Sequence, residues 1–269
     1  MSPGPSELFL TTVAFTREGA VARTVLSRPA QLNAITPGML DDLGRVCDVL
    51  EADPGVKVLV LTGAGRAFCA GADLGEVAQR AGDPSAWRAF NEAWHRVFDR
   101  IERLPQIVVA GVHGFALAGG LELTLVCDLV VAEAGARLGD QHANFGLIPG
   151  GGASQRLPRV VGPRRAKELM LLGGWVDAAQ ALHWGLVNRV APAGQVAAAA
   201  EALARELAGK SAAASRTAKR LVDQGLDLTL AEGLELERHL AAEHMRGADA
   251  AEGLRAFAEK RAPVFRSGR

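Results

Sequence analysis

Net charge and cysteine are scarce in this sequence. Thirty Lys and Arg residues balance thirty Asp and Glu residues, so the formal net charge at pH 7 is zero. A polyanion such as DNA, or an anionic membrane surface, is recognised through an excess of positive charge. We therefore expect no nucleic-acid or membrane partner, and an anionic ligand has to be bound by a local group of residues.

The chain has three cysteines, Cys47, Cys69 and Cys127. Their odd number and wide spacing match neither a disulfide framework nor a zinc site. They are predicted to be reduced core residues, and no metal site is expected.

Targeting and nucleotide-binding signals are missing as well. Pro3, Pro5 and Glu7 stand where a secretory signal would have basic residues and an apolar run, and no 18-residue apolar stretch follows. A cytoplasmic protein is expected. Neither the G-x-x-x-x-G-K-[ST] loop nor the G-x-G-x-x-G fingerprint occurs, which disfavours nucleoside triphosphate and dinucleotide chemistry.

What is present indicates an α/β protein of 269 residues, 49% of them apolar. Apolar and β-branched runs predict strands at 21–27, 56–62, 107–112 and 128–132, and a hairpin turn at 18–19. Helices are predicted from Thr36 and over 85–104 between these strands. After about Pro158 only 186–190 is strand-like, and helices are predicted at 163–172, 177–184, 192–208, 212–224 and 229–246.

Two glycine-rich segments follow predicted strands, at 63–74 and 116–123. Glycine lets a backbone approach a ligand closely, and the start of a helix exposes unpaired N–H groups at the positive end of its dipole. Two such donors converging on one oxygen form an oxyanion hole.

Together these segments resemble the crotonase (enoyl-CoA hydratase/isomerase) superfamily. The matching stretches are 28–29, 32–34, 58–63, 68–74, 111–114, 119–123, 127–128, 145–152, 252–253 and 257–261. The resemblance implies a spiral of ββα turns, spanning 1–195 with the CoA and oxyanion site, and a helical trimerisation region at 196–269. It also implies a trimer or a dimer of trimers, an acyl-CoA thioester as the substrate, and no separate cofactor.

The resemblance assigns the oxyanion-hole donors to the N–H groups of Ala72 and Gly119. It places the CoA contacts at Arg28, Ala70, Ala72, Asp73, Leu74 and Gly119, together with Phe257 and Lys260, the last two from an adjacent subunit or the same one.

Two residues are candidates for proton transfer. Glu122 lies three residues after Gly119, on the same helical face, and occupies one of the two glutamate positions of hydratases in this family. The second glutamate position holds His142, whose imidazole can donate or accept a proton near neutral pH. Asp140 or Asn144 could orient this ring, and the sequence leaves both open.

The expected reaction is syn-addition of water to a trans-2-enoyl-CoA, with Glu122 positioning or deprotonating the water and His142 assisting proton delivery to the α-carbon. The alternatives are a double-bond isomerase, a decarboxylase or thioester hydrolase with the same oxyanion hole, and a non-catalytic acyl-CoA-binding protein.

Overall fold

The computed structural model describes residues 9–266. The strands are β1 Val13–Glu18, β2 Val21–Leu26, β3 Val58–Gly63, β4 Ile107–Val112, β5 Phe115–Leu117, β6 Leu129–Glu133, β7 Arg137–Gly139, β8 Trp175–Asp177 and β9 Arg189–Ala191. The helices are α1 Pro37–Ala52, α2 Leu74–Arg80, α3 Pro84–Arg103, α4 Gly119–Leu125, α5 Ala153–Val161, α6 Pro163–Leu172, α7 Ala178–Trp184, α8 Val196–Ala208, α9 Ala212–Gly225, α10 Leu230–His244 and α11 Ala248–Ala258.

The larger sheet has six strands in the order β1, β2, β3, β4, β6, β9. β1 and β2 form an antiparallel hairpin, and every later pairing is parallel. All six residues of β4 are buried, because α1 and α3 cover one face of the sheet and α8 covers the other. Burial on both faces explains why the sequence of β4 is a continuous apolar run.

The smaller sheet, β5, β7 and β8, gives the chain its spiral course. β4 lies in the large sheet, β5 in the small sheet, and α4 follows; β6 and β7 then repeat the same alternation. The prediction of an α/β protein built from a spiral of ββα turns is confirmed.

Local sequence signals define the helix starts. Thr36 caps α1 by accepting a hydrogen bond from the N–H of Met39 (3.2 Å), and Pro37 occupies the first helical position. Thr229 and Glu232 form a reciprocal capping box at the start of α10.

The carboxy-terminal helices differ in their packing. α8 buries Ala200, Leu203 and Ala204 against the sheet, whereas α9 and α10 pack on each other and leave large apolar side chains exposed. The division of the chain into a spiral core at 1–195 and a helical trimerisation region at 196–269 stays a prediction.

Two further expectations concern the core and membranes. Cys47 and Cys69 are buried and Cys127 is partly buried, and all three are free thiols as predicted. Among residues 9–266, no helix combines the length and apolarity needed to cross a membrane.

Asn33 connects the first glycine-rich segment to the fold. It is fully buried, with φ at +56°, a region that asparagine tolerates better than most residues. Its Nδ2 lies 2.8–3.1 Å from the carbonyl oxygens of Ala64, Ala67 and Phe68, and its Oδ1 accepts from the N–H of Arg28 (2.9 Å). One amide thus holds the loop that leads into the candidate site.

We predict that Asn33→Ala lowers the free energy of unfolding by about 2–4 kcal/mol, because several buried backbone groups lose their partner at once. Urea unfolding followed by circular dichroism measures the change. Gln155→Ala, which removes an exposed amide, is the control and should stay within about 0.5 kcal/mol of the parent. An equal effect of the two substitutions would contradict the role of Asn33.

Candidate active site

Backbone pairing brings the two glycine-rich segments together. Cys69 forms a parallel bridge with Ala116: its N–H donates to the carbonyl of Phe115 (3.0 Å), and its own carbonyl accepts from Leu117 (3.0 Å). A Cβ on Gly120 would lie only 2.0 Å from the Cys69 carbonyl oxygen, so glycine is required there. The close approach that the glycines predicted is therefore present.

The N–H groups of Ala72 and Gly119 lie side by side. Ala72 bridges Ile35, which bonds to the backbone of Gly71 (2.8 Å) and Asp73 (2.9 Å), so the N–H of Ala72 points away from Ile35. Gly119 begins α4, where a helix offers its N–H no acceptor. Within residues 9–266, neither N–H donates to another element, and a Cβ on Gly119 would lie 3.4 Å from Ala72 N.

Ala118 aims the Gly119 N–H. Its φ of +49° and ψ of −118° are costly for a residue with a side chain. The Ala118 N–H donates to the carbonyl of Gly139 (2.9 Å) in β7, which holds this turn in place. The strained turn lies at the site where two donors converge, as expected for an oxyanion hole.

Beside these donors lies a cavity of about 210 Å³. Its walls are mainly apolar, with a few polar groups. The lining residues are Ala70, Ala72, Leu74, Val77, Trp87, Phe90, Asn91, Trp94, Ala118, Gly119, Glu122, Gln141, His142, Phe145, Leu147, Ile148, Gly150 and Gly151. A mostly apolar cavity with convergent polar groups is typical of a small-molecule site.

Glu122 is 2% exposed and lines this cavity. Its Oε1 accepts from the N–H groups of Gly151 (2.8 Å) and Ala153 (3.1 Å), which leaves Oε2 as the less engaged oxygen. Burial raises the pKa of the carboxyl, and the two N–H groups together with nearby His142 oppose that rise. The result is a fixed carboxylate with a tendency to take up a proton, the property of a general base.

His142 forms a dyad with buried Asp140. Asp140 Oδ1 lies 2.9 Å from Nδ1 of the ring and 3.1 Å from the backbone N of His142. A carboxylate accepts, so Nδ1 carries a proton and Nε2 is the nitrogen left for the cavity. Burial alone lowers the pKa of His142, but the hydrogen bond and charge of Asp140, with the charge of Glu122, raise it overall. The dyad therefore favours an imidazolium.

Asn144, the other residue considered for orienting His142, has different partners. Its Nδ2 donates to the carbonyl of Gly173 (2.8 Å) and to Oε1 of Gln141 (3.1 Å). Asp140 therefore holds the ring, and Asn144 fixes the loop that carries it.

The residues predicted to bind CoA fall into three groups. Ala70, Ala72, Leu74 and Gly119 line the cavity. Arg28 and Asp73 lie next to them but bind each other (3.0 Å), and Asp73 also caps α2 by accepting from Gly75 (3.1 Å).

Phe257 and Lys260 lie apart from the cavity in the described part of the chain. Phe257 is 86% exposed at the end of α11, and Lys260 follows it with φ at +54°. Neither lines the cavity. Their contact with CoA stays a prediction.

Sequence reasoning missed two features of the site. The glycines at 150–152 matched the family pattern, but their role in holding Glu122 depends on a backbone conformation that composition does not reveal. Nothing in the sequence showed that the ring of Trp94 packs beside Gly119 and Gly151. The helical spacing of Trp87, Phe90, Trp94 and Phe98 was the available signal for one aromatic face.

The chain is similar to proteins of known family along nearly its whole length. Residues 16–268 match the family model described as enoyl-CoA hydratase/isomerase. A mitochondrial enoyl-CoA hydratase of Pongo abelii is 34% identical over 250 residues, covering 93% of this chain and 85% of that protein. An enoyl-CoA isomerase/hydratase of Mycosarcoma maydis is 36% identical over 254 residues, covering 91% and 92%.

Comparison of the fold with solved structures agrees with the sequence comparison. The 1.8 Å crystal structure of an enoyl-CoA hydratase from Bacillus anthracis superposes with a TM-score of 0.90 at 35% identity, covering 96% of this chain and 100% of that one. The chain belongs to the enoyl-CoA hydratase/isomerase family, the crotonase superfamily.

Proposed function

We propose that the protein is an enoyl-CoA hydratase, which adds water across the double bond of a trans-2-enoyl-CoA thioester. The observation that carries the proposal is the convergence on one cavity of two unpaired backbone N–H groups, an anchored carboxylate and a carboxylate-held imidazole. Hydration needs these three functions together: an electrophile activator, a base for water and an acid for the α-carbon.

The first step is activation of the acyl group. The N–H groups of Ala72 and Gly119 hydrogen-bond the thioester oxygen and stabilise the negative charge that develops there. The β-carbon of the enoyl group becomes electrophilic, because an enolate can form on the thioester side. Both donors are backbone atoms, so their positions are set by the Cys69 and Ile35 bridges rather than by rotamers.

Proton transfer follows at two residues. Glu122 Oε2 takes a proton from water as the water oxygen bonds to the β-carbon and the π electrons move to the enolate. Protonated His142 then gives its Nε2 proton to the α-carbon, and the enolate returns to a thioester. One proton passes from Glu122 to His142 through solvent to restore the starting state.

A double-bond isomerase is the second candidate. Moving a proton between C2 and C4 needs one well-placed base, and either Glu122 or His142 can supply it. The relative from Mycosarcoma maydis carries both activities in its name. Parallel assays with crotonyl-CoA and a 3-enoyl-CoA separate the two, since only a hydratase gives the 3-hydroxyacyl product.

We also propose that the acyl-CoA is bound by Arg28, Ala70, Asp73 and Leu74 around the cavity entrance, and that Phe257 and Lys260 complete the site from an adjacent subunit. The position of Phe257 supports this, because a large aromatic side chain that is 86% exposed gains by contact with a ligand or a partner.

Glu122→Gln is expected to lower kcat for hydration at least about 100-fold with little change in CoA-ester affinity, because the amide cannot take a proton while both oxyanion donors remain. Steady-state kinetics on crotonyl-CoA and calorimetric binding of a saturated acyl-CoA measure the two quantities. Exposed Glu92→Gln in α3 is the matched control and should behave as the parent. A near-parental rate in Glu122→Gln would remove this carboxylate from the mechanism.

The pH profile of kcat/KM should be bell-shaped. Glu122 works ionised, so the rate falls as pH drops below a pKa that burial has raised above the ordinary 4.5. His142 works protonated, so the rate falls as pH rises through a pKa that Asp140 holds above the ordinary 6.5. Asp140→Asn should move the alkaline limb to lower pH, and His142→Ala should remove it.

Exposed Asp83→Asn, which removes a remote carboxylate, serves as the control for that shift. His142→Glu should retain hydration by supplying a carboxyl group at the same position. An unchanged rate and profile in His142→Ala would end the two-residue mechanism.

Self-association is expected from the exposed apolar side chains of α9, of α10 and of the segment between them. Val222, Leu226 and Leu230 are 61%, 67% and 79% exposed, more apolar surface than a monomer usually leaves in water. Sedimentation velocity at micromolar concentration should give a trimer or a hexamer, and Leu226→Glu should weaken it. A parent protein that sediments as a monomer would contradict the predicted assembly.

A further inference from the structure

We infer that Trp94 is a positioning residue for the attacking water: its indole N–H and Glu122 Oε2 together hold one water molecule at the β-carbon. The inference rests on the proposed hydration and adds a water-binding donor to it. Its basis is a buried, unpaired N–H located beside the base.

Trp94 is 5% exposed and lies in the middle of α3, where its ring packs on Phe90 (centroids 5.7 Å apart) and Phe98 (5.3 Å). Its Nε1 has no acceptor among residues 9–266. A buried N–H without a partner is destabilising and is rare in folded proteins. An acceptor that enters the cavity would remove this cost.

The ring lies between the oxyanion hole and the loop that anchors Glu122. A Cβ on Gly119 would be 2.6 Å from Cζ2 of Trp94, so the benzene edge of the indole faces the oxyanion hole. A Cβ on Gly151 would be 2.4 Å from Nε1 of Trp94 and 2.5 Å from Oε2 of Glu122. The pyrrole edge therefore faces the base.

These two distances limit the separation of the N–H and the carboxylate. Nε1 and Oε2 are at most 4.9 Å apart, which is 2.4 Å plus 2.5 Å. A water molecule with hydrogen bonds of about 2.8 Å can bridge donor and acceptor atoms up to about 5.6 Å apart. The separation is thus within the span of a single water that accepts from Trp94 and donates to Glu122.

Two other polar groups near this point already have partners within the protein. Glu122 Oε1 accepts two backbone N–H groups, and Asn91 Nδ2 donates to the carbonyl of Gly150 (2.7 Å). A bridging water donates one proton to Oε2 and accepts from Nε1 with one lone pair. Its second lone pair forms the bond to the β-carbon, and Glu122 receives the proton that this O–H bond loses.

The test removes the N–H and keeps an aromatic ring at this position. Trp94→Phe is the first variant, and replacement of Trp94 by benzothienylalanine, whose sulfur takes the place of the N–H, is the second. We expect kcat for crotonyl-CoA hydration to fall about 10- to 100-fold with KM within about twofold, because the water is misplaced while the apolar wall remains. Trp184→Phe, outside the cavity, is the control.

A second readout separates water placement from a structural role. Exchange of the α-protons of butyryl-CoA in D₂O needs the oxyanion hole and His142 but no water at the β-carbon. Both Trp94 variants should therefore keep parental exchange while they lose hydration. The acidic limb of the kcat/KM profile should also move to higher pH. The bridging water donates to ionised Glu122 and stabilises it, so loss of this water raises the pKa of the carboxyl.

Unchanged hydration in the benzothienylalanine protein would overturn the inference, and so would an equal loss of hydration and exchange in both variants. Failure of the proposed function looks different. The parent protein itself would then exchange α-protons but leave crotonyl-CoA unhydrated, and the inference would fall with it.

Discussion

The site depends on one close backbone contact, the pairing of Cys69 with the chain around Ala116. This contact presses the first glycine-rich segment against the start of α4, with Gly120 directly beneath the Cys69 carbonyl. The N–H groups of Ala72 and Gly119 are neighbours as a result. The fold around it supports this contact, since β4, the strand that precedes the second glycine-rich segment, is buried on both faces.

The two ionisable side chains beside these N–H groups are each held in place by the protein. Glu122 is anchored through one oxygen by backbone N–H groups, and His142 is anchored through one nitrogen by Asp140. Each group therefore has one atom bonded to the protein and one left for the cavity. Because the raised pKa values of Glu122 and His142 have different causes, burial in one case and a neighbouring carboxylate in the other, the two residues respond differently to substitution.

The helices and strands with strong local sequence signals could be predicted from the sequence. The strand at 107–112 and the helix at 163–172 have the predicted bounds, because burial on both faces and a Pro start leave clear patterns. The three-residue strands β5, β7 and β8 are too short to show any periodicity, and α5, which starts after a glycine run and contains Pro158, lacks the usual signals.

Within the site, the family resemblance selected His142, but the choice between Asp140 and Asn144 depended on a loop conformation. The role of Trp94 could not be predicted, because it depends on contacts of α3 with the start of α4 and with the loop before α5.

The proposed oxyanion donors and the anchors of Glu122 are all main-chain atoms, and this has a consequence for how the enzyme can change. Side chains on the exposed end of α3, such as Trp87, form the cavity wall without taking part in that backbone scaffold. Substitutions there can reshape the space for the acyl chain and leave the chemical apparatus intact. In the proposed mechanism, acyl preference and catalysis therefore depend on different parts of the sequence.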